Sequence, residues 1–143
     1  IKDSPISIPL GTMIETPRAA LIAGDLAPLV DFMSFGTNDL TQMTYGFSRD
    51  DVEASVIKKY IEMDILQESP FAQLDALGVG KLVQEAINSS RAINPEIKIG
   101  ICGEHGGDPT SIRFLANSGV DYVSCSPPRI PIARLVCAQE SLK

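Results

Sequence analysis

Four times along the chain, a short apolar segment ends in small or polar residues and passes into sequence with helical spacing. The sharpest of these junctions is Phe32-Met33-Ser34-Phe35-Gly36-Thr37-Asn38-Asp39-Leu40-Thr41-Gln42. Residues 32–35 read as a buried parallel strand, Gly36 as a tight turn and the residues after it as a helix start. Strands that alternate with helices imply a parallel sheet, because parallel neighbours must be joined by crossovers, and those crossovers are right-handed. Ligands of such sheets gather at the carboxyl ends of the strands. There Gly36 would let backbone N–H groups approach an oxygen-rich ligand, Asp39 offers a hard anionic oxygen for a divalent metal, and Asn38 offers a neutral donor and acceptor. Taken alone, Thr37 or Asn38 can equally be read as a helix N-cap.

The other junctions follow the same grammar. Residues 6–15 lean to β structure and end in the carboxylate of Glu15; Thr16-Pro17 then reads as an N-cap with proline in the first turn of a helix over 18–23. Ser48-Arg49-Asp50-Asp51 opens a helix through about Tyr60, and residues 62–77 are expected to be an irregular insertion with short helical turns. Apolar residues at Val79, Leu82, Val83, Ala86 and Ile87 predict a helix over Val79–Ile93, stopped by Asn94-Pro95. A strand over 97–102 leads into the glycine-rich run 103–107. Asp108-Pro109 repeats the cap-then-proline start, and Ser118-Gly119 closes that helix. A fourth strand over 120–125, a turn at Ser126-Pro127-Pro128 and a helix over 130–141 complete the chain.

Four βα units can make a small open sheet. Functional-looking residues, however, end three successive strands (Glu15, then Asn38 with Asp39, then Cys102), which is how a (βα)8 barrel presents its chemistry. Such a barrel takes ~250 residues, so 143 residues are expected to form half of a TIM-type barrel, one partial domain over residues 1–143. The chain begins with Ile1 and shows no signal-like start, consistent with a piece of something longer. A half-barrel leaves strand edges open and interior side chains uncovered, so the missing half or another copy should cover them.

Composition narrows the partners. A formal net charge of −6 argues against nucleic acid, and no apolar run approaches the ~18 residues of a membrane span. Cys102, Cys125 and Cys137 are odd in number and lack C-x-x-C spacing, which argues against a disulfide framework and a structural zinc site and fits a reducing cytoplasm.

Three runs carry a resemblance: Gly11-Thr12-Met13-Ile14-Glu15-Thr16-Pro17-Arg18-Ala19, Ser34-Phe35-Gly36-Thr37-Asn38-Asp39-Leu40-Thr41-Gln42 and Gly100-Ile101-Cys102-Gly103-Glu104-His105-Gly106-Gly107. In this order and spacing they resemble the C-terminal domain of the phosphoenolpyruvate-utilising enzymes. The runs 44–51 and 104–109 look more like the dikinase branch than like the synthase or phosphotransferase-system branches. The resemblance implies the C-terminal half of the barrel, and a reaction that interconverts pyruvate, ATP and phosphate with phosphoenolpyruvate, AMP and pyrophosphate. It implies that Glu15 and Asp39 hold Mg²⁺, that Glu15, Gly36, Thr37, Asn38 and Asp39 line the pyruvate or phosphoenolpyruvate site, and that Cys102 is the acid/base for the methyl carbon. The chemistry agrees: two carboxylates are what Mg²⁺ commonly takes from a protein, its charge stabilises an enolate, and a thiol can deliver a proton to the enolate carbon.

The resemblance also implies partners outside these residues: a swivelling phosphohistidine domain, an ATP-binding domain, anion-clamping arginines from the first barrel half, and a second subunit in a homodimer. Arg18, Arg49, Arg113, Arg129 and Arg134 do not stand at strand ends and are not assigned to that clamp. Cys125 and Cys137 are read as structural, and His105 as either catalytic or an orienter of its loop. Two competing readings stand beside the dikinase. One is another magnesium enzyme, either the synthase or a pyruvate-enolate aldolase or lyase; Cys102 and its glycine-rich loop speak against the aldolase or lyase. The other is a non-catalytic dimerisation fragment.

Overall fold

The structure, a computed structural model, describes residues 6–143. Strands β1 (Gly11–Ile14), β2 (Phe32–Gly36), β3 (Lys98–Cys102) and β4 (Tyr122–Val123) form one sheet in the order β1-β2-β3-β4, every neighbouring pair parallel. The spatial order repeats the chain order, so right-handed crossovers all return over the same face. Burial reflects this. Ile14, Met33, Phe35, Ile99 and Ile101 alternate along their strands, are all buried, and share one core with Ala20, Val83, Ile87 and Leu115 of the helices. On the other face the register aligns Met13, Ser34, Gly100 and Tyr122 in a row across the sheet. Met13 and Tyr122 there remain 44% and 40% exposed, so this face is only partly covered among the described residues.

Local chemistry sets most element boundaries. Helix α1 (Pro17–Leu21) starts as expected: Thr16 Oγ1 accepts from the Ala19 N–H at 3.2 Å, and proline stands in the first turn. The helix does not run on to residue 23. It breaks at Ile22 and resumes as α2 (Ala23–Leu26) and a 3-10 turn (Ala27–Leu29). Helix α3 (Thr37–Tyr45) springs directly from β2 with Gly36 at its N-cap, so neither Thr37 nor Asn38 is the cap. The expected helix from Ser48 is α4 (Arg49–Val52) and α5 (Lys58–Glu62) joined by a π turn (Glu53–Ile57).

Between α5 and α6 (Val79–Ile93) the chain has no regular helix or strand, yet it contributes buried Phe71 and Leu74. The Asp75 carboxylate in this segment accepts from the N–H groups of Leu77, Gly78 and Val79, satisfying the otherwise unpaired start of α6. Helix α7 (Pro109–Ser118) is capped by Asp108, which accepts from the Ser111 N–H at 2.7 Å, and it ends at Gly119 with φ of 88°. Helix α8 (Ile130–Ser141) closes the chain.

The outer strands are shorter than expected. Residues 6–10 lie outside β1, although Leu10 and Asp31 exchange hydrogen bonds next to its start. The β4 ladder is extended by Asp121 N–H to the Ile99 carbonyl and Ser124 N–H to the Ile101 carbonyl, at 2.7 and 2.8 Å. The first three strands end at Ile14, Gly36 and Cys102, each within a residue of the sequence expectation, and the fourth ends at Val123, two residues short of it.

Candidate active site at the carboxyl edge of the sheet

Register brings the predicted site residues of three strands into one row. Ile14 pairs with Phe35, so the next residue, Glu15, comes alongside Gly36, and Gly36 itself pairs with Cys102. The Glu15 side chain folds over Gly36. A Cβ added to Gly36 would lie 2.7 Å from Glu15 Oε2 and 2.9 Å from Glu15 Cβ, so glycine is required here for close approach rather than for an unusual backbone angle. On the opposite side of Gly36, Cys102 Sγ lies 3.5 Å from the Phe35 carbonyl oxygen and 3.8 Å from Met13 Sδ. The thiol is half-buried and free.

The first turn of α3 supplies the remaining polar groups, and they reach across to the chain after β3. The buried Thr37 hydroxyl lies 3.0 Å from the Cys102 carbonyl and 2.8 Å from His105 Nδ1. Asn38 Oδ1 accepts from the Glu104 N–H at 3.1 Å. Asp39 Oδ1 accepts from Gln42 Nε2 at 2.9 Å, and Gln42 Oε1 accepts from the Arg49 N–H at 2.8 Å. Gly103 makes the crossing possible. Its φ of 114° suits glycine alone, and a Cβ there would lie 2.6 Å from Thr37 Oγ1 and 3.0 Å from Asn38 Oδ1.

His105 sits in a 3-10 turn (Glu104–Gly107) and is fully buried, with Nε2 2.9 Å from the Pro70 carbonyl oxygen. Burial, the largest influence, pushes its pKa below the ordinary histidine value, although the Pro70 hydrogen bond and the carboxylates of Asp108 and Glu104 pull upward. The ring is held by side-chain and backbone partners rather than opening to solvent. Of the two roles open to it in the sequence, that of a loop-orienting residue has these contacts behind it.

A cleft of about 270 Å³ runs from Cys102, Gly103 and Glu104 past Ser124 and Cys125 to Arg129. Arg129 lies in the 3-10 turn Pro127–Arg129 that follows β4, and its stem packs against Gly107. Arg129, unassigned from the sequence, follows the fourth strand and the Ser126-Pro127-Pro128 turn, and that position is its signal in the chain. Arg49 lines the neighbouring cleft together with Arg129 and Glu104, while its guanidinium pairs with Glu53 at 3.2 Å and lies over the Phe71 ring. Cys125 and Cys137 pack against the small cluster of Ile112, Ala133 and Val136.

The carboxylates the sequence assigns to a metal are Glu15, just after β1, and Asp39, in the first turn of α3; Glu104 follows β3 at the same edge. Among the described residues no three His, Cys, Asp or Glu side chains converge as a metal-binding cluster. The donor set fits a metal that takes two carboxylates and keeps its other positions for water and substrate oxygens, the habit of Mg²⁺; it does not fit a closed zinc site.

The whole arrangement has relatives. The family described as PEP-utilising enzyme, PEP-binding domain matches residues 2–142. The chain is 57% identical over 138 residues to pyruvate, phosphate dikinase 1, chloroplastic, of Arabidopsis thaliana, covering 96% of this chain and 14% of that protein. It is 58% identical over 134 residues to pyruvate, phosphate dikinase 2 of Zea mays, covering 94% of this chain and 15% of that protein. With pyruvate, phosphate dikinase 2 of Oryza sativa subsp. japonica it shares 54% over 140 residues, covering 98% of this chain and 16% of the relative. The chain therefore spans about one-seventh of the length of these relatives. A match over nearly every residue, with the three motifs meeting at one sheet edge, makes this chain a member of the phosphoenolpyruvate-utilising enzyme family, within its phosphoenolpyruvate-binding domain.

Proposed function

We propose that these residues supply the pyruvate and phosphoenolpyruvate site of a pyruvate, phosphate dikinase. The observation that carries the reading is the row at the strand ends: the Glu15 carboxylate folded over Gly36, with the Cys102 thiol on the other side of the same glycine. In this reading Glu15 and Asp39 hold Mg²⁺, which when bound supplies positive charge to stabilise the enolate oxygen of the substrate. Gly36 lets the Glu15 carboxylate lie against the sheet end, where it faces the planar three-carbon acid. Thr37 and Asn38 line it from the first turn of α3, and the Cys102 thiol gives its proton to, or takes one from, the methyl carbon.

The same reading extends to the assembly. The four βα units are the C-terminal half of a (βα)8 barrel, supported by the sequential strand order and by helices packed on one face. The half-exposed row around Met13 and Tyr122 is then interior that the first half of the barrel covers. A swivelling phosphohistidine domain and an ATP-binding domain bring the phosphoryl group from elsewhere in the full-length protein, which pairs as a homodimer. No helix among the described residues is long and apolar enough to cross a membrane. We place the full-length protein in a reducing aqueous compartment, either the cytoplasm or the plastid interior to which the names of several relatives refer.

Cys102→Ala in the full-length protein tests the assignment. It removes the proton donor and leaves the carboxylates in place. General acid catalysis is worth ~10²–10⁴-fold, so solvent-deuterium exchange into the pyruvate methyl group should fall by that order while ATP-dependent phosphorylation of the carrier histidine stays near normal. Exchange that survives the substitution would assign the proton to another group. Loss of both half-reactions together would make Cys102 structural.

A further inference from the structure

Thr37 has one hydroxyl hydrogen and two neighbours that compete for it. Its Oγ1 lies 3.0 Å from the Cys102 carbonyl oxygen and 2.8 Å from His105 Nδ1, while His105 Nε2 lies 2.9 Å from the Pro70 carbonyl oxygen. A carbonyl oxygen only accepts, so Nε2 carries a hydrogen. The neutral ring then has a bare Nδ1, which takes the Thr37 hydrogen and leaves the Cys102 carbonyl without it. In the protonated ring Nδ1–H donates to Thr37 Oγ1, and the hydroxyl hydrogen turns to the Cys102 carbonyl. The two ring states impose two directions on one buried hydroxyl, and Cys102 stands at the end of one of them.

We propose that His105 is a positioning residue: through Thr37 it sets the seating of the Cys102 strand end, and its neutral Nε2–H form is the one that the site uses. The inference rests on the proposed proton-transfer role of Cys102 and deepens it. It also gives the irregular segment before α6 a function, since Pro70 in that segment fixes the tautomer of a ring on the far side of the site. The charged groups that act on the ring are Arg49 of α4, Glu104 of its own turn and Asp108 at the cap of α7. Full burial opposes a charge on the ring, which favours the neutral form at neutral pH. Acidification through the ring's titration would tie Thr37 to the Cys102 carbonyl and reseat the thiol.

The test uses the full-length protein carrying ¹³C-labelled histidine rings, with the His105 resonance identified by its loss in His105→Gln. Wild type should show the neutral Nε2–H tautomer at pH 7, titrating only below the ordinary histidine value. Pyruvate methyl exchange should fall about tenfold in His105→Gln and in Thr37→Val, the scale of one hydrogen bond. It should fall no further in the double variant, because both substitutions remove the same link. His105→Asn, whose amide oxygen can take the place of Nδ1 as acceptor, should recover part of the rate, and the acid loss of exchange assigned to the ring should be absent from His105→Gln.

An Nδ1–H tautomer, a ring that titrates at or above the ordinary value, or fully additive variants would overturn the proposal. If wild type lacks methyl exchange altogether, the proposed function fails, and the tautomer and titration still decide the hydrogen-bond arrangement. If His105→Gln does not fold, the resonance is identified by its loss in His105→Asn, and wild type supplies the same two readings.

Discussion

Replacing Gly103 by alanine should unlatch the crossing between β2 and β3, and its cost can be worked from the geometry. At φ of 114° and ψ of 177° the backbone occupies a region essentially restricted to glycine, and holding another residue there costs about 1–3 kcal/mol. The added Cβ would also lie 2.6 Å from Thr37 Oγ1 and 3.0 Å from Asn38 Oδ1. Those atoms must move, which loosens the Thr37–His105 and Asn38–Glu104 hydrogen bonds, each worth about 0.5–1.5 kcal/mol. The total expected loss is about 2–6 kcal/mol. Gly46→Ala is the control. Gly46 has φ of 65° and nothing within 4 Å of an added Cβ, so only the left-handed backbone is penalised, at about 1–2 kcal/mol. Urea denaturation of both variants, read at midpoints of unchanged slope, compares them directly. Equal losses would refute the claim that Gly103 is kept for the approach of Thr37 and Asn38.

Two further outcomes follow from named contacts. Glu15→Gln keeps the side chain's size but removes its charge, so the Mg²⁺ concentration that supports methyl exchange in the full-length protein should rise at least tenfold; a magnesium titration checks this. Asp121 accepts from the Ile99 N–H at 2.7 Å and pairs with Arg91 and Lys98 at 3.1 and 3.5 Å. Its partial burial alone would raise its pKa, but the Ile99 N–H and the two cations outweigh that and hold it below the ordinary carboxylate value. Asp121→Ala should therefore destabilise the chain by about 1–3 kcal/mol at pH 7. Because the folded-state pKa is the lower one, this contribution is present above the unfolded value and disappears as pH falls through the folded value. Urea midpoints of wild type and variant should accordingly converge in acid.

Much of this molecule is readable in the chain because the signals are local. Thr16-Pro17 and Asp108-Pro109 announce helix starts by cap chemistry, Gly119 announces a stop, and the apolar spacing of Val79–Ile93 outlines a helix whose bounds match the structure. The alternation of strand and helix is also local, and it suffices to put Glu15, Asp39 and Cys102 at or just beyond the carboxyl ends of parallel strands. The partners of those residues are not local. Thr37 meets the Cys102 carbonyl across 65 positions and His105 across 68, contacts created by the register that sets Gly36 opposite Cys102. Periodicity reports which face a residue takes and is silent on which residue of another strand stands opposite. For the same reason His105 could be read from the sequence as loop or catalyst, Arg129 could be passed over, and Thr37 could be taken for a helix cap. The sequence by itself determined the elements and the edge at which the chemistry gathers; the tertiary structure decided which groups share a hydrogen there, because that choice depends on strand register and on a buried ring brought in from a distant turn.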